Sequence, residues 1–247
     1  MSGLDATATP LLLAALTGLA AVSAGLFGAA HLARNTGGKD FESFQLRYQA
    51  ISLTLACAVL AAAGALAPSG WSRFARMGEI GAPAGPVSWL GIAPSESWLE
   101  VGLSLGFIIT VATCGFLVVQ TRRNPLRSSS LGRLAPFILA AALANAFTEE
   151  AIYRLAPAVV LHGLLPPSVI AILSATGFGV AHYGGTPGGP VGVLMAGFLG
   201  WILARSLLET GGMFWPVAIH GLQDLVIMTF LAVDPALQRS RRMSRAP

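Results

Sequence analysis

Charge is what this 247-residue sequence has least of: Asp, Glu, Lys and Arg make up only 11% of it. Ordinary soluble domains carry roughly 25%. With 54% of the residues hydrophobic, that scarcity excludes a soluble globular protein and leaves an all-α, polytopic integral membrane helix bundle. Lysine is nearly missing as well, Lys39 standing alone among fifteen basic residues. The arginine bias, with abundant Ala and Gly, points to a high-GC and hence bacterial genome. Cysteine is limited to Cys57 and Cys114, with no CxxC or Cys/His spacing. A thiolate zinc site and a disulfide framework are thereby excluded, and both thiols read as buried structural groups. HExxH is absent, so no specific zinc spacing is present. The first residues, MSGLDATATP, lack the positive n-region of a cleavable signal, and 10–33 is expected to be a retained span. Nucleic acid is not an expected partner, because the net charge of +4 resides in loops and the C-terminus.

A span needs about 20 mostly apolar residues. Seven segments qualify: 10–33, 47–67, 98–120, 134–162, 167–186, 190–209 and 213–233. The fourth is long enough to tilt or to break near Pro157. The fifth is short and runs into HYGGTPGGP. Residues 68–97, holding Trp71 and Trp89 and leading to Trp98, suit an interfacial loop or short surface helix. Three regions follow: 1–133 with N-terminal transmembrane helices and loops, 134–233 as a helical core, and 234–247 as a basic tail. Eleven basic residues fall on one side of this topology: Arg34, Lys39, Arg47, Arg122, Arg123, Arg127, Arg133, Arg239, Arg241, Arg242 and Arg245. Arg73, Arg76 and Arg205 fall on the other. The positive-inside rule then expects the N-terminus outside and the C-terminus in the cytoplasm of an inner (plasma) membrane, an outcome that requires an odd number of spans, as seven is. The tail would also lie against anionic lipid.

Ionisable side chains at membrane depth cost a few kcal/mol each on insertion scales and usually mark a site. Glu149, Glu150 and Arg154 crowd into the fourth span. Glu150 and Arg154 are four apart and can pair, whereas Glu149 points about 100° away and is free for chemistry. The fifth span carries Phe178 and His182 on one face, and the seventh carries His220 and Asp224 on one face. An isolated buried aspartate needs a proton, a partner or a metal, and His220 or Arg154 are its natural partners. Two carboxylates, two histidines and an aspartate gathered from three spans can activate a water and stabilise an oxyanion. His31 and His162, at span ends, read as structural.

The blocks EEAIYR (149–154), FGVAH (178–182) and HGLQD (220–224) resemble the EExxxR, FxxxH and HxxxN/D motifs of the CPBP family. These are the CAAX-processing and bacteriocin-processing (Abi) intramembrane endopeptidases. The resemblance covers 134–233 and implies a CAAX-protease-like core that hydrolyses a peptide bond within the membrane. By the family pattern Glu149 is the general base, helped by His182, and Glu150 and Arg154 support them. His220 and residue 224 stabilise the oxyanion. Position 224 is Asp here, and an ionised Asp cannot donate to an oxyanion. It is therefore protonated, or orients His220, or binds a metal. A Zn²⁺ on Glu149, His182, His220 and Asp224 would suit the residue types, but the missing HExxH favours a metal-independent glutamate/histidine mechanism.

The implied substrate is a membrane-associated protein or peptide precursor, such as a bacteriocin precursor or a protein with a sorting tail. The lipid bilayer is the other expected partner, and no oligomer is indicated. The alternative function is a non-catalytic membrane scaffold or immunity protein of the same fold. A proton-coupled transporter is disfavoured by the lack of an internal repeat. Small residues at Gly192, Ala196 and Gly200 allow close helix packing. The run 184–190 reads as a flexible connector, or as a gate over the site.

Overall fold

The computed structural model describes residues 8–35, 40–121, 131–185 and 188–233. Among these the chain is helical, with three isolated bridges and no strands. The helices are α1 (Ala8–Asn35), α2 (Phe41–Leu66), α3 (Pro68–Phe74), α4 (Trp98–Thr121), α5 (Leu131–Glu150), α6 (Ala156–Leu161), α7 (Pro167–Ala181), α8 (Gly189–Thr210) and α9 (Phe214–Val233). Five helical runs among the described residues are long and apolar enough to cross a membrane: α2, α4, the continuous Leu131–Leu161 run, α8 and α9. The chain is a multi-pass helical membrane protein. Most of the basic residues that carried the orientation argument, including Lys39, Arg122, Arg123, Arg127 and the whole tail, lie outside the described residues. So do Thr186 and Pro187 of the 184–190 run.

Local chemistry sets the helix ends. Asp40 caps α2, accepting from the Ser43 backbone N–H at 2.8 Å and from its hydroxyl at 2.7 Å. Those bonds, the backbone one first, hold the Asp40 carboxyl below its ordinary range. Their contribution is thus present at neutral pH and lost as pH falls through the lowered value. At the other end of the bundle α8 stops at Gly211, whose φ of 70° is open to glycine at little cost.

Two expectations need correction here. The fifth span does not continue to 186. Helix α7 has 15 residues and ends at Ala181, about 22 Å of rise, because the chain turns at His182 through Tyr183 N–H to Val180 O and Gly185 N–H to His182 O. His182 therefore sits at a helix end within the bundle. Cys57 is not buried either. It lies exposed on the outer face of α2, while Cys114 is half-buried and both thiols are free.

The fourth span does not break near Pro157; the helical run is continuous through it, with an irregular turn just before the proline. Residues Ala151–Leu155 form a π-helical turn, closed by the Ala156 N–H bonding to Ala151 O. Pro157 has no N–H to offer the carbonyl four residues earlier, that of Tyr153. Ser174 of α7 donates its hydroxyl to this freed oxygen instead. Such π-turns mark functional positions more often than plain helix does.

Between apolar helices in lipid there is little hydrophobic drive, so association rests on close packing. Helix α7 lies against α8 where Gly179 meets Gly197, and a Cβ at Gly179 would stand 2.7 Å from the Val193 carbonyl oxygen. Gly200 of the anticipated small-residue stripe faces Ala175, Phe178 and the Arg154 guanidinium. Helix α5 packs between α9 and α2, and α4 covers α9.

The 75–97 segment docks on the turn between α8 and α9, through Met213 N–H to Arg76 O and Arg76 Nε to Gly211 O. Trp89 is exposed, as an interfacial residue should be. Trp98 is not: it is buried at the start of α4, its Nε1 donating to Glu209 at 2.9 Å. Glu209 also accepts from the Gly85 N–H and from Arg205. The indole is drawn inward because that carboxylate needs donors.

Candidate active site

The π-turn and the early end of α7 bring the polar groups of three spans together. Glu150 and Arg154 are both fully buried, with Arg154 Nε 3.2 Å from Glu150 Oε2. The other Glu150 oxygen meets His220 Nδ1 at 2.7 Å. A carboxylate paired with a guanidinium accepts, so Nδ1 donates and His220 turns Nε2 toward the remaining acids. There Nε2 lies 3.7 Å from Glu149 Oε2 and 3.6 Å from Asp224 Oδ2. His182 is oriented the same way by a different partner. Its Nδ1 donates to the Phe178 carbonyl at 2.8 Å, which leaves Nε2 3.9 Å from Glu149 Oε2.

Glu149 thus stands between the two imidazoles, and its Oε2 has no hydrogen-bond partner. Its side chain keeps 13% exposure, against none for Glu150. The opening is a cleft of about 80 Å³ lined by Gln45, Tyr48, Asn145, Glu149, His182 and Asp224, among others. All six residues singled out from the sequence, Glu149, Glu150, Arg154, His182, His220 and Asp224, belong to this one cluster. His31 and His162 do not: His31 bonds Asn35 and His162 packs edge-on against Phe74.

Residues 131–226 match the family model described as Rce1-like, type II CAAX prenyl endopeptidase. The resemblance drawn from the three motifs is borne out at that level, and the match spans every residue of the cluster. No curated protein and no solved structure matches the chain. Over residues 131–226 the chain is similar to a family of membrane-embedded peptide hydrolases.

Within this cluster, Phe178 has a larger part than its place in FGVAH suggested. Its ring carries the Arg154 guanidinium 3.8 Å from the ring centroid, and it meets Tyr153, His182 and His220 at 5.4, 4.2 and 5.5 Å. One buried phenyl group therefore fixes the cation and both imidazoles. Arg154 Nη1 and Nη2 have no hydrogen-bond partner, so ring and Glu150 together account for its placement.

Asn145 was not singled out from the sequence. Its Nδ2 donates to Asp224 Oδ2 at 2.9 Å and to Glu149 Oε1 at 3.2 Å. Asp224 accepts from this amide and lies beside His220. Two signals were available: Asn145 precedes Glu149 by four residues, and an asparagine inside an apolar span is itself costly.

The zinc reading can be tested on the donor atoms. Ligands around tetrahedral Zn²⁺ at about 2.0–2.1 Å lie about 3.3–3.4 Å apart. The separations here are 3.6–3.9 Å, and Asn145 already donates to both Glu149 and Asp224. Among the described residues no three His, Cys, Asp or Glu side chains form a group able to hold a metal. The arrangement does not fit a resident zinc ion, whereas a water about 2.8 Å from each of two such atoms bridges these gaps.

Proposed function

We propose that this chain is an intramembrane endopeptidase in which Glu149 and His182 activate a water for attack on a peptide carbonyl. The observation that carries the proposal is the Glu149 Oε2 atom, buried without a hydrogen-bond partner on a residue that lines the cleft, and flanked by two imidazole Nε2 atoms whose Nδ1 atoms are already committed. A water held there gives one proton to the Glu149 carboxylate as its oxygen bonds to the scissile carbon. The carbonyl oxygen takes up the negative charge. His220, carrying a proton on Nε2, donates to that oxyanion. Asp224 accepts from Asn145 and acts through its charge beside His220, not as a donor. Collapse of the intermediate breaks the C–N bond, and the proton held by Glu149 passes to the leaving amine. One carboxylic acid, which keeps the second proton of the water until it ionises, and one amine result.

Glu150 and Arg154 do not touch substrate in this scheme. Glu150 fixes the orientation of His220, and Arg154 with Phe178 fixes Glu150. The substrate is a membrane-associated peptide or protein that enters the polar cleft in extended form. The basic residues counted from the sequence put the α7 end of the site on the cytoplasmic side of a bacterial plasma membrane.

The test is cleavage by the purified protein in detergent of a quenched-fluorescent peptide ending in a prenylated cysteine and three further residues. Metal-free hydrolysis predicts turnover within about twofold of the untreated rate after exhaustive chelation, because no step uses a Lewis acid. Loss of turnover on chelation, restored by added Zn²⁺, would move the mechanism to a metal hydroxide.

A further inference from the structure

The family match begins at residue 131, yet the acids of the site are tied to a helix far upstream. Gln45 and Gln49, one turn apart on α2, are both buried. Gln49 Nε2 donates to Gln45 Oε1 at 3.2 Å and to Asn145 Oδ1 at 3.3 Å. Asn145 then spends its amide hydrogens on the two carboxylates. We infer that Asn145, with its amide orientation fixed by Gln49 of α2, is a positioning residue that sets the spacing of Glu149 and Asp224. The inference rests on the peptidase reading of the site.

The direction of the chain follows from its end members. Glu149 and Asp224 accept hydrogen bonds when ionised and offer none. Asn145 must therefore turn its NH₂ toward them and its oxygen away. The two carboxylates set this orientation from one side, and a donor on the far side adds to the cost of exchanging the ends. Gln49 is that donor. The arrangement leaves Gln49 Oε1 buried without a partner, an uncommon state that costs free energy. A glutamine retained merely to join α2 to α5 would not need to orphan its own oxygen. Gln45, Asn145, Glu149 and Asp224 all line the same cleft, so the relay reaches the wall where substrate would lie.

The carboxylates belong to helices 79 residues apart at the Asn145–Asp224 bond, and like charges drift apart unless a donor holds both. Displacement of a reacting group by 1 Å can cost about 10²-fold in rate. Asn145→Leu keeps the volume and removes both donors. It is expected to lower kcat per folded molecule about 100-fold on the prenylated reporter peptide, with KM within about threefold. Gln49→Glu keeps size and replaces the donor with an acceptor that favours the flipped amide, and about a 10-fold fall in kcat is expected. Gln49→Met removes the donor without rewarding the flip, and its fall is smaller than that of Gln49→Glu. Because both residues act along one path, Gln49→Glu combined with Asn145→Leu is no slower than Asn145→Leu alone.

A residue that only clips helices together would lower the unfolding temperature and leave kcat per folded molecule intact. That result in Gln49→Glu overturns the inference even where Asn145→Leu fails to fold, as does a double variant whose loss equals the product of the single losses. Glu149→Gln serves as the reference. Full activity there, or a wild type silent on the reporter, overturns the peptidase reading and this inference with it. A dead Glu149→Gln beside unimpaired Asn145 and Gln49 variants overturns the inference alone.

Discussion

Glu149→Gln abolishes cleavage, lowering kcat by about 10³-fold, within the 10²–10⁴ that a positioned base supplies. The amide retains the shape and the hydrogen bond to Asn145 by its oxygen, but it cannot take a proton from water. Glu150 and Asp224 remain beside His220, so removing the Glu149 charge does not leave that imidazole without a carboxylate partner. The variant therefore inserts and folds as the wild type does. Membrane fractionation and the unfolding temperature check this, beside turnover of the reporter. A membrane scaffold or immunity protein of the same fold would behave oppositely, with Glu149→Gln restoring the phenotype of a deletion strain. Full turnover by Glu149→Gln would sink the assignment of the base.

Arg154→Met acts through stability first. Glu150 and Arg154 have no exposed side-chain surface, and breaking a buried pair by removing one partner costs about 3–5 kcal/mol. The Glu150 charge would be left with His220 alone. Arg154→Lys is no rescue, because an ammonium cannot reproduce the planar stack 3.8 Å from the centroid of the Phe178 ring. Glu150→Gln paired with Arg154→Met removes both charges and recovers much of the lost stability. Activity stays low in the double variant, since His220 Nδ1 loses its carboxylate partner. Thermal unfolding in detergent, run beside turnover, separates these two effects. An Arg154→Met protein as stable as the wild type would show that the pair does not hold the site together.

Much of this site is legible in the sequence because its signals are local. Glu150 and Arg154 pair across four residues, His220 and Asp224 likewise, and an ionisable side chain stands out in any apolar span. Pro157 announced an irregularity in the fourth span. What it could not announce is the π-turn just before it, because that depends on Ser174 of α7 taking over the Tyr153 carbonyl. The early end of α7 was obscured for a related reason: apolar composition continues to Ala181 and glycines follow, so nothing in the residue count marks where the chain turns. Asn145 and Gln49 escaped notice because their meeting spans 96 residues, and no spacing rule reaches that far. Trp98 misled because an aromatic at a span end usually faces the interface. Here the Glu209 carboxylate, 111 residues away, draws it inward.

The central claim is that Glu149 activates water and does not itself attack the substrate. Single-turnover cleavage of the prenylated reporter in ¹⁸O-enriched water addresses it directly. If water is the nucleophile, the new carboxyl terminus of the first turnover carries one ¹⁸O and Glu149 carries none, as read by mass spectrometry of product and of the peptide containing residue 149. An unlabelled first product with ¹⁸O retained in the Glu149 carboxylate would contradict the account, because it would make Glu149 a nucleophile acylated by the substrate.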